Sequence, residues 1–343
     1  MVQNDSLGRA IVIGTSAGGL AAISALISAF RQEQNIAIFV VMHLSKNSNS
    51  KVISSLLQKK TGLVCKVAAE GMPVEKGHLY LAPEDHHMLV DSGKLRISHG
   101  AHENKYRPSI DSLFRSAAVY YRNKTIGIIL TGMLDDGTAG MAFIREAGGI
   151  CIIQDPAEAS FPDMPTSVKL NEIAHFQASL KEMPAVLEKI LNSELPPLIP
   201  LREELAAEAA ISKNMMTSTA QLNEIAAKSD FSCPDCGGRL WEINDSSGTR
   251  YRCHTGHTYT EGLLAKLQDE KIEESIWVSI RMMEEKANLM LLLSDKATEN
   301  GERRKTFEDR WAETRKHIDR LKSLLFAITE HQFEKKILNN EQE

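Results

Sequence analysis

A serine, a histidine, a pair of aspartates and a group of cysteines are the side chains of this sequence placed where they could do chemistry. Ser16 sits in Gly14-Thr15-Ser16-Ala17-Gly18-Gly19, a Gly-x-Ser-x-Gly turn of the kind that lifts a hydroxyl above the end of a strand as a nucleophile. His43 follows the apolar run Ile36–Met42, and Asp135 and Asp136 follow the run Thr125–Leu130. A serine hydroxyl attacks poorly until an imidazole takes its proton, and the imidazole needs a carboxylate to fix its tautomer. Those are the three side-chain types of an acyl-transfer site. The second group is Cys233, Cys236, Cys253 and His257, spaced Cys-x2-Cys and Cys-x3-His, with His254 as an alternative fourth ligand. Four nitrogen and sulfur ligands close a structural zinc site, with no position left open for a catalytic metal. Such an ion contributes folding free energy to a segment too small for its own core.

Each feature also has a plainer reading. A glycine turn after a first strand can cradle a phosphate, and in dinucleotide-binding folds an acidic residue about 20 positions on then holds a ribose. Here the second strand is followed by His43, which suits a serine nucleophile and does nothing for a ribose. Ser16 could cap the helix that follows it. His43 could be a solvated loop residue, and Asp135 and Asp136 could be acids favoured by the dipole of the helix they begin. Cys65 and Cys151 lie in apolar runs and read as inert buried thiols.

The elements that must position these groups are legible as alternating strands and helices. Ala10–Ile13 is a short apolar run, and Leu20–Phe30 carries an apolar stripe at helical spacing. Similar alternation continues to residue 192, with a hairpin at His87–Ile97, a helix Ile110–Tyr121 capped by Ser109, and a last helix from Pro184 to about Leu191. Continuous apolar strands separated by helices predict an α/β fold, a doubly wound and mostly parallel sheet covered on both faces. In such sheets ligands bind at the carboxyl ends of strands, which is where Ser16, His43 and Asp135–Asp136 fall. Residues 193–230 read as a linker, with a polar helix over Leu201–Met216 and disorder over Thr217–Ser229. Residues 231–262 read as a zinc-ribbon-like module. Residues 263–343 read as a helical hairpin tail, with Ile276, Ile280, Met283, Ala287 and Met290 recurring at spacings of four and three, followed by Phe307, Trp311, Ile318, Leu321, Leu325 and Ile328.

The chain has 343 residues, room for about two domains, with a net charge of −5 and pI near 6.2. That charge argues against nucleic acid as a main partner, because phosphate binding needs a basic face. No stretch reads as a signal peptide or a membrane span, so a cytoplasmic protein without membrane insertion is expected.

Residues 9–192 resemble the catalytic domain of the bacterial chemotaxis methylesterases, the CheB family. The resemblance is carried by Ile13–Gly19, Val41–Leu44, Leu79–Pro83 with His87-Met88, Arg107–Phe114, Leu130–Met141, Gln154–Pro156 and Met164-Pro165. It implies that Ser16 is the nucleophile, His43 the general base and Asp136 the carboxylate that orients it, with Asp135 outside the triad. It also implies that the Met133 N–H donates to the oxyanion and that Arg107 faces substrate, although Arg107 could equally be a surface residue beside the Ser109 helix. The activity implied is hydrolysis of glutamate γ-methyl esters on methylated chemoreceptors with release of methanol, and deamidation of receptor glutamines by the same chemistry. No cofactor is expected for catalysis; zinc is expected in residues 231–262, which resemble the C-terminal ribbon of some stand-alone homologues.

Three departures from the family pattern stand out. Ala17 replaces a hydroxyl residue, and Leu44-Ser45-Lys46-Asn47 replaces a segment that often carries proline. Only eight residues precede the first strand, so the receiver domain of this family is not expected, nor switching by phosphorylation in the same chain. A docking role for the helical tail, recruiting the enzyme to receptor assemblies, is the corresponding expectation. The competing reading is a non-catalytic signalling adaptor that keeps the fold and binds through the ribbon and tail.

Overall fold

A computed structural model describes residues 7–44, 48–213, 217–297 and 301–340. The segment Ser45–Asn47 and the end of the polar helix expected to reach Met216 lie outside the described residues. The chain first runs β1 (Arg9–Thr15), α1 (Gly19–Ile27), β2 (Ile36–Met42), α2 (Ser50–Gln58), β3 (Val64–Val67) and β4 (His78–Leu81). The hairpin β5 (His87–Asp91) and β6 (Lys94–Ser98) and helix α3 (Ile110–Tyr121) follow. Then come β7 (Thr125–Ile129), α4 (Thr138–Glu146), β8 (Ile150–Gln154), α5 (Asp163–Leu170), β9 (Phe176–Ala178) and α6 (Met183–Asn192).

Seven of these strands form one sheet in the order β3-β4-β2-β1-β7-β8-β9, every pair parallel. Strand residues alternate between the faces, and each face is a separate core. Ala10, Val12, Ala37, Phe39 and Val41 pack with α3 and α4, while Ile11, Ile13, Ile38, Val40 and Met42 pack with α1 and α6. Burial on both faces is why these runs are apolar throughout. From β1 the chain winds outward through β2 to β3 and β4, then returns to β7 on the other side of β1. The strand order therefore reverses between β1 and β7, the place where such sheets open a crevice at their carboxyl ends.

The sequence reading missed α5 and β9. Pro162 and Pro165 look like helix stops, but Pro162 precedes α5 and Pro165 lies in its first turn, where no intrahelical N–H is required.

Residues 203–260 continue as α7 (Glu203–Lys213), α8 (Thr219–Ile225) and the antiparallel sheet β10 (Ala227–Ser232), β11 (Arg239–Asp245), β12 (Gly248–Cys253) and β13 (Thr258–Thr260). The stretch expected to be a disordered linker instead holds α8, opened by a capping box in which Ser218 and Gln221 satisfy each other's backbone N–H. Met1–Leu263 form one compact unit. The second unit, Leu264–Glu343, consists of most of α9 (Glu261–Lys296) and α10 (Gly301–Asn340). Its two helices share a core of Ile280, Ala287, Ile318 and Leu325, flanked by Ile276, Met283, Trp311 and Leu321, and Lys322 pairs with Glu284 across them at 2.7 Å. Among the described residues, no helix is long and apolar enough to cross a membrane.

Candidate active site and metal centre

Ser16, Ala17 and Gly18 make the whole turn between β1 and α1. Gly18 takes φ +76°, a conformation that side chains resist, and so lets the chain reverse within three residues. Two donors hold the turn to the loop after β7: the Ser16 N–H (3.1 Å) and the Thr15 hydroxyl (2.7 Å) both reach the Thr131 carbonyl. The Thr131 hydroxyl donates back to the Ala17 carbonyl at 3.1 Å. Beside it, a Cβ on Gly132 would fall 2.0 Å from Met164 Sδ and 2.9 Å from Ser16 Cβ. Glycine is what allows the Met133 peptide to approach the serine.

His43 follows β2, the parallel neighbour of β1, and its N–H donates to the Thr15 carbonyl at 3.1 Å. Ser16 and His43 thus leave adjacent strand ends, about 4.8 Å apart. The imidazole is buried, with Nε2 2.8 Å from Asp136 Oδ2 and the Tyr106 ring stacked on it at 3.5 Å between centroids and 10° between planes. With Nε2–H donating to the carboxylate, Nδ1 carries the lone pair. Nδ1 is buried with no hydrogen-bond partner among the described residues.

Asp136 is 1% exposed and sits at the amino end of α3 rather than of the helix that it precedes. It accepts from the Ile110 N–H (2.7 Å), the Asp111 N–H (3.3 Å), the Ser109 hydroxyl (3.0 Å) and Asn104 Nδ2 (3.1 Å). Burial opposes its charge, but the bond and charge of His43, the Ile110 amide and Asn104 outweigh it and hold the carboxyl below its ordinary range. Ser109, expected to cap α3 with its own side chain, makes no such cap and serves Asp136 instead. Asp111 shares the Asn104 amide (2.9 Å) and accepts from the Gly140 N–H. Burial first, then the neighbouring Asp136 charge, push its carboxyl up to about 8. For Asp135 burial is again the main cause of an upward shift, opposed by a Thr260 hydrogen bond.

Two backbone N–H groups, one in the serine turn and one in the loop after β7, are left without a partner among the described residues. Gly132 N–H goes to the Phe161 carbonyl (2.9 Å) and Leu134 N–H to Asp163 (3.2 Å), whereas Met133 N–H between them has no partner among the described residues. The same holds for Ala17 N–H, at the amino end of α1. In a nucleophile elbow the N–H after the serine is an oxyanion donor, so the Gly-x-Ser-x-Gly pattern already signals the Ala17 N–H, a residue the sequence reading noted only for its missing hydroxyl. Asn104 and Tyr106 were missed as well; they lie in a polar loop with no periodicity or motif to mark them. An open, largely apolar cleft of about 560 Å3 adjoins Ser16, lined by Leu20, Met42, Leu44 and Ile53 among others. Arg107 is engaged elsewhere, donating to Asp85 at 3.0 and 2.8 Å and to the Gly100 carbonyl at 2.7 Å.

In the four-stranded module, the ligand atoms of Cys233, Cys236, Cys253 and His257 all lie within 4.8 Å of one another. His257 Nδ1 is 3.6 Å from the sulfurs of both Cys233 and Cys253, and Cys236 Sγ is 3.7 Å from Cys253 Sγ. A tetrahedral ion with bonds of about 2.3 Å to sulfur and about 2.0 Å to nitrogen needs edges of roughly 3.5–3.8 Å, so the donor set fits a metal. The imidazole that joins the sulfurs is that of His257, not His254. Gly237 (φ +71°) and Gly256 (φ +111°) turn the two knuckles, and Gly237 N–H and Gly256 N–H bond to the Cys233 and Cys253 carbonyls. The Thr255 hydroxyl donates to Cys236 Sγ at 3.6 Å, and the Tyr259 hydroxyl, 3.0 Å from Cys233 Sγ, donates to Asp235, the outer contacts that orient ligands.

Residues 11–187 match the family model described as CheB methylesterase. The chain belongs to that family. A Leptospira interrogans protein, named provisionally as a protein-glutamate methylesterase/protein-glutamine glutaminase, is 38% identical over 160 residues, 46% of this chain and 82% of the relative. The Methanosarcina mazei protein-glutamate methylesterase/protein-glutamine glutaminase 2 is 32% identical, over 55% of this chain and 54% of its own length. The crystal structure of the Thermotoga maritima CheB methylesterase catalytic domain superposes with a TM-score of 0.51 at 30% identity, covering 53% of this chain and 98% of that one. These matches confirm the α/β fold and the family expected from the sequence.

Proposed function

We propose that this chain is a protein-glutamate methylesterase acting on methylated chemoreceptors, with Ser16 as nucleophile, His43 as general base and Asp136 as the group that orients it. The observation that carries the reading is the His43–Asp136 bond, which leaves the other ring nitrogen without a partner on a residue that leaves the strand next to that of Ser16. Ser16 Oγ attacks the carbonyl carbon of a glutamyl γ-methyl ester while its proton passes to His43 Nδ1. The oxyanion is met by the N–H groups of Met133 and Ala17, the kind of preorganised donor that contributes most to acyl transfer. His43 returns the proton to the departing methoxide, methanol leaves, and water attacks the glutamyl-serine ester by the same route to release free glutamate. Deamidation of glutamine follows the same steps with ammonia as leaving group, in keeping with the double name of the relatives.

The apolar cleft at Leu20, Leu44 and Ile53 suits the aliphatic part of a receptor helix. Arg107, held by Asp85 and Gly100, would bear on substrate through the loop it shapes. Zinc is the metal proposed for Cys233, Cys236, Cys253 and His257, where its chemistry would be to cross-link the two knuckles. The enzyme is placed in the cytoplasm at receptor assemblies, with the helical tail as a docking element whose exposed Trp277, Met282 and Leu289 supply apolar contact. Methanol release from methylated receptor membranes, lost in Ser16→Ala, tests the activity.

A further inference from the structure

The loop between β6 and α3 bears on both His43 and Asp136, and its outer side is held by the metal module. Asn104 is 1% exposed, and its side-chain amide joins Asp136 to Asp111. Tyr106 lies flat on His43. Asn104 and Lys105 take φ of +51° and +69°, a conformation that asparagine accepts readily but that a lysine beside it holds only with support from its surroundings. The enforcing contacts come from β12 and β13. The Asn104 N–H donates to the Thr258 carbonyl at 2.8 Å, and Glu103 forms a parallel bridge with Thr258. The Glu103 carboxylate, buried, takes Arg252 at 3.4 Å on one side and Arg115 of α3 on the other. Thr258 is next in sequence to His257, and Arg252 is next to Cys253. Thr258 and Arg252, the two residues of β12–β13 that grip the loop, are therefore each covalently adjacent to a metal ligand.

We propose that Asn104 and Tyr106 are positioning residues for the Asp136–His43 pair, and that the metal-filled Cys3His module keeps them in place, so that metal occupancy governs the reactivity of Ser16. This rests on the reading of Ser16 as a nucleophile. An ion at Cys233, Cys236, Cys253 and His257 joins the two knuckles and fixes the carbonyl of Thr258 where the Asn104 N–H needs it. Without the ion that end of β12–β13 loosens, the loop relaxes from its left-handed turns, and the imidazole loses both its stacked ring and the amide that steadies its carboxylate. A displacement of about 1 Å in a catalytic group costs on the order of 10²-fold in rate.

The experiment compares the zinc-loaded full chain, the same protein stripped by a chelator under reducing conditions, and the stripped protein reloaded with zinc. One readout is hydrogen exchange across residues 101–112. The other is the rate at which an alkyl fluorophosphonate modifies Ser16, which needs no receptor. Stripping is expected to speed exchange at the Asn104 amide and slow Ser16 modification by about 10²-fold, with β1, β2 and β7 still protected and zinc restoring both. An Asn104 amide equally protected without metal would overturn the proposal, as would a loosened loop with Ser16 modified at the loaded rate. In zinc-loaded protein, Asn104→Ala and Tyr106→Ala should lower kcat with KM unchanged, while Tyr106→Phe keeps the ring and the rate. Stripping Asn104→Ala should cost less than stripping wild type, because the two act on one contact; fully multiplicative losses count against the proposal. A loaded chain that reacts at Ser16, responds to metal in this way and releases no methanol from receptors would leave the coupling standing and remove the methylesterase reading.

Discussion

Asp111 and Asp136 meet at the amino end of α3, joined by one Asn104 amide, and two buried carboxyls so close do not both ionise at neutral pH. Asp136 keeps the charge because His43 and the α3 amides face it, and Asp111 keeps its proton up to about 8. The consequence for stability has a definite sign. The Asp111 carboxyl binds its proton more tightly folded than unfolded, so its contribution is full below the ordinary value of 3.8 and is lost as pH rises through about 8. Urea unfolding of wild type between pH 5 and 9 should show stability declining with pH across that window, and Asp111→Asn should flatten the decline. A wild-type profile as flat as that of the variant would mean that Asp111 is ionised in the folded protein.

At the scale of elements, the site is a junction of three strand ends and one helix. β1 delivers Ser16, β2 delivers His43 and the loop after β7 delivers Asp136 to the amino end of α3. The strands were legible because buried parallel strands are apolar throughout, and the glycine turn because the second strand is followed by His43 and not by an acid that would hold a ribose. The grip of α3 on Asp136 was not, since a serine before a helix reads as its cap whatever its hydroxyl bonds. The helix α5 was hidden by Pro162 just before it and Pro165 in its first turn, and α8 by polar composition, although Ser218-Thr219-Ala220-Gln221 carries the capping-box pattern. Close approach of two loops is likewise invisible in one sequence. Gly132 shows why it matters: the added methyl of Gly132→Ala would meet Met164 and Ser16 and displace the Met133 peptide. That variant should fold and lose on the order of 10²-fold in kcat, measured on the same ester as wild type.

Across Met1–Leu263, buried charge ties the elements together. Arg115 of α3, Arg250 and Arg252 of β12, Glu103, Glu208 of α7 and Asp245 form a network in which three cations face three anions. Glu208 accepts both terminal nitrogens of Arg250, at 2.8 and 3.1 Å. Removing one member strands its partners, a loss of about 3–5 kcal/mol, so Glu208→Ala should be destabilised by that much in urea; a change within about 0.5 kcal/mol would mean that water replaces the pair. The network joins α7 to α3 and to β12, and β12 to the loop before α3. The second unit, Leu264–Glu343, is a helical pair with its own core, and its proposed part is docking. A chain ending at Leu263 should hydrolyse a soluble ester as the full chain does but co-sediment less with receptor membranes. Undiminished co-sedimentation would remove that role.

The most direct measurement is methanol released from methylated receptor membranes by the wild-type chain and by Ser16→Ala at equal concentration. Wild type should release methanol, and the variant, folded to the same far-ultraviolet spectrum, should be slower by on the order of 10⁴-fold or more. Release that is equal in both proteins, or absent from both, would contradict a serine methylesterase.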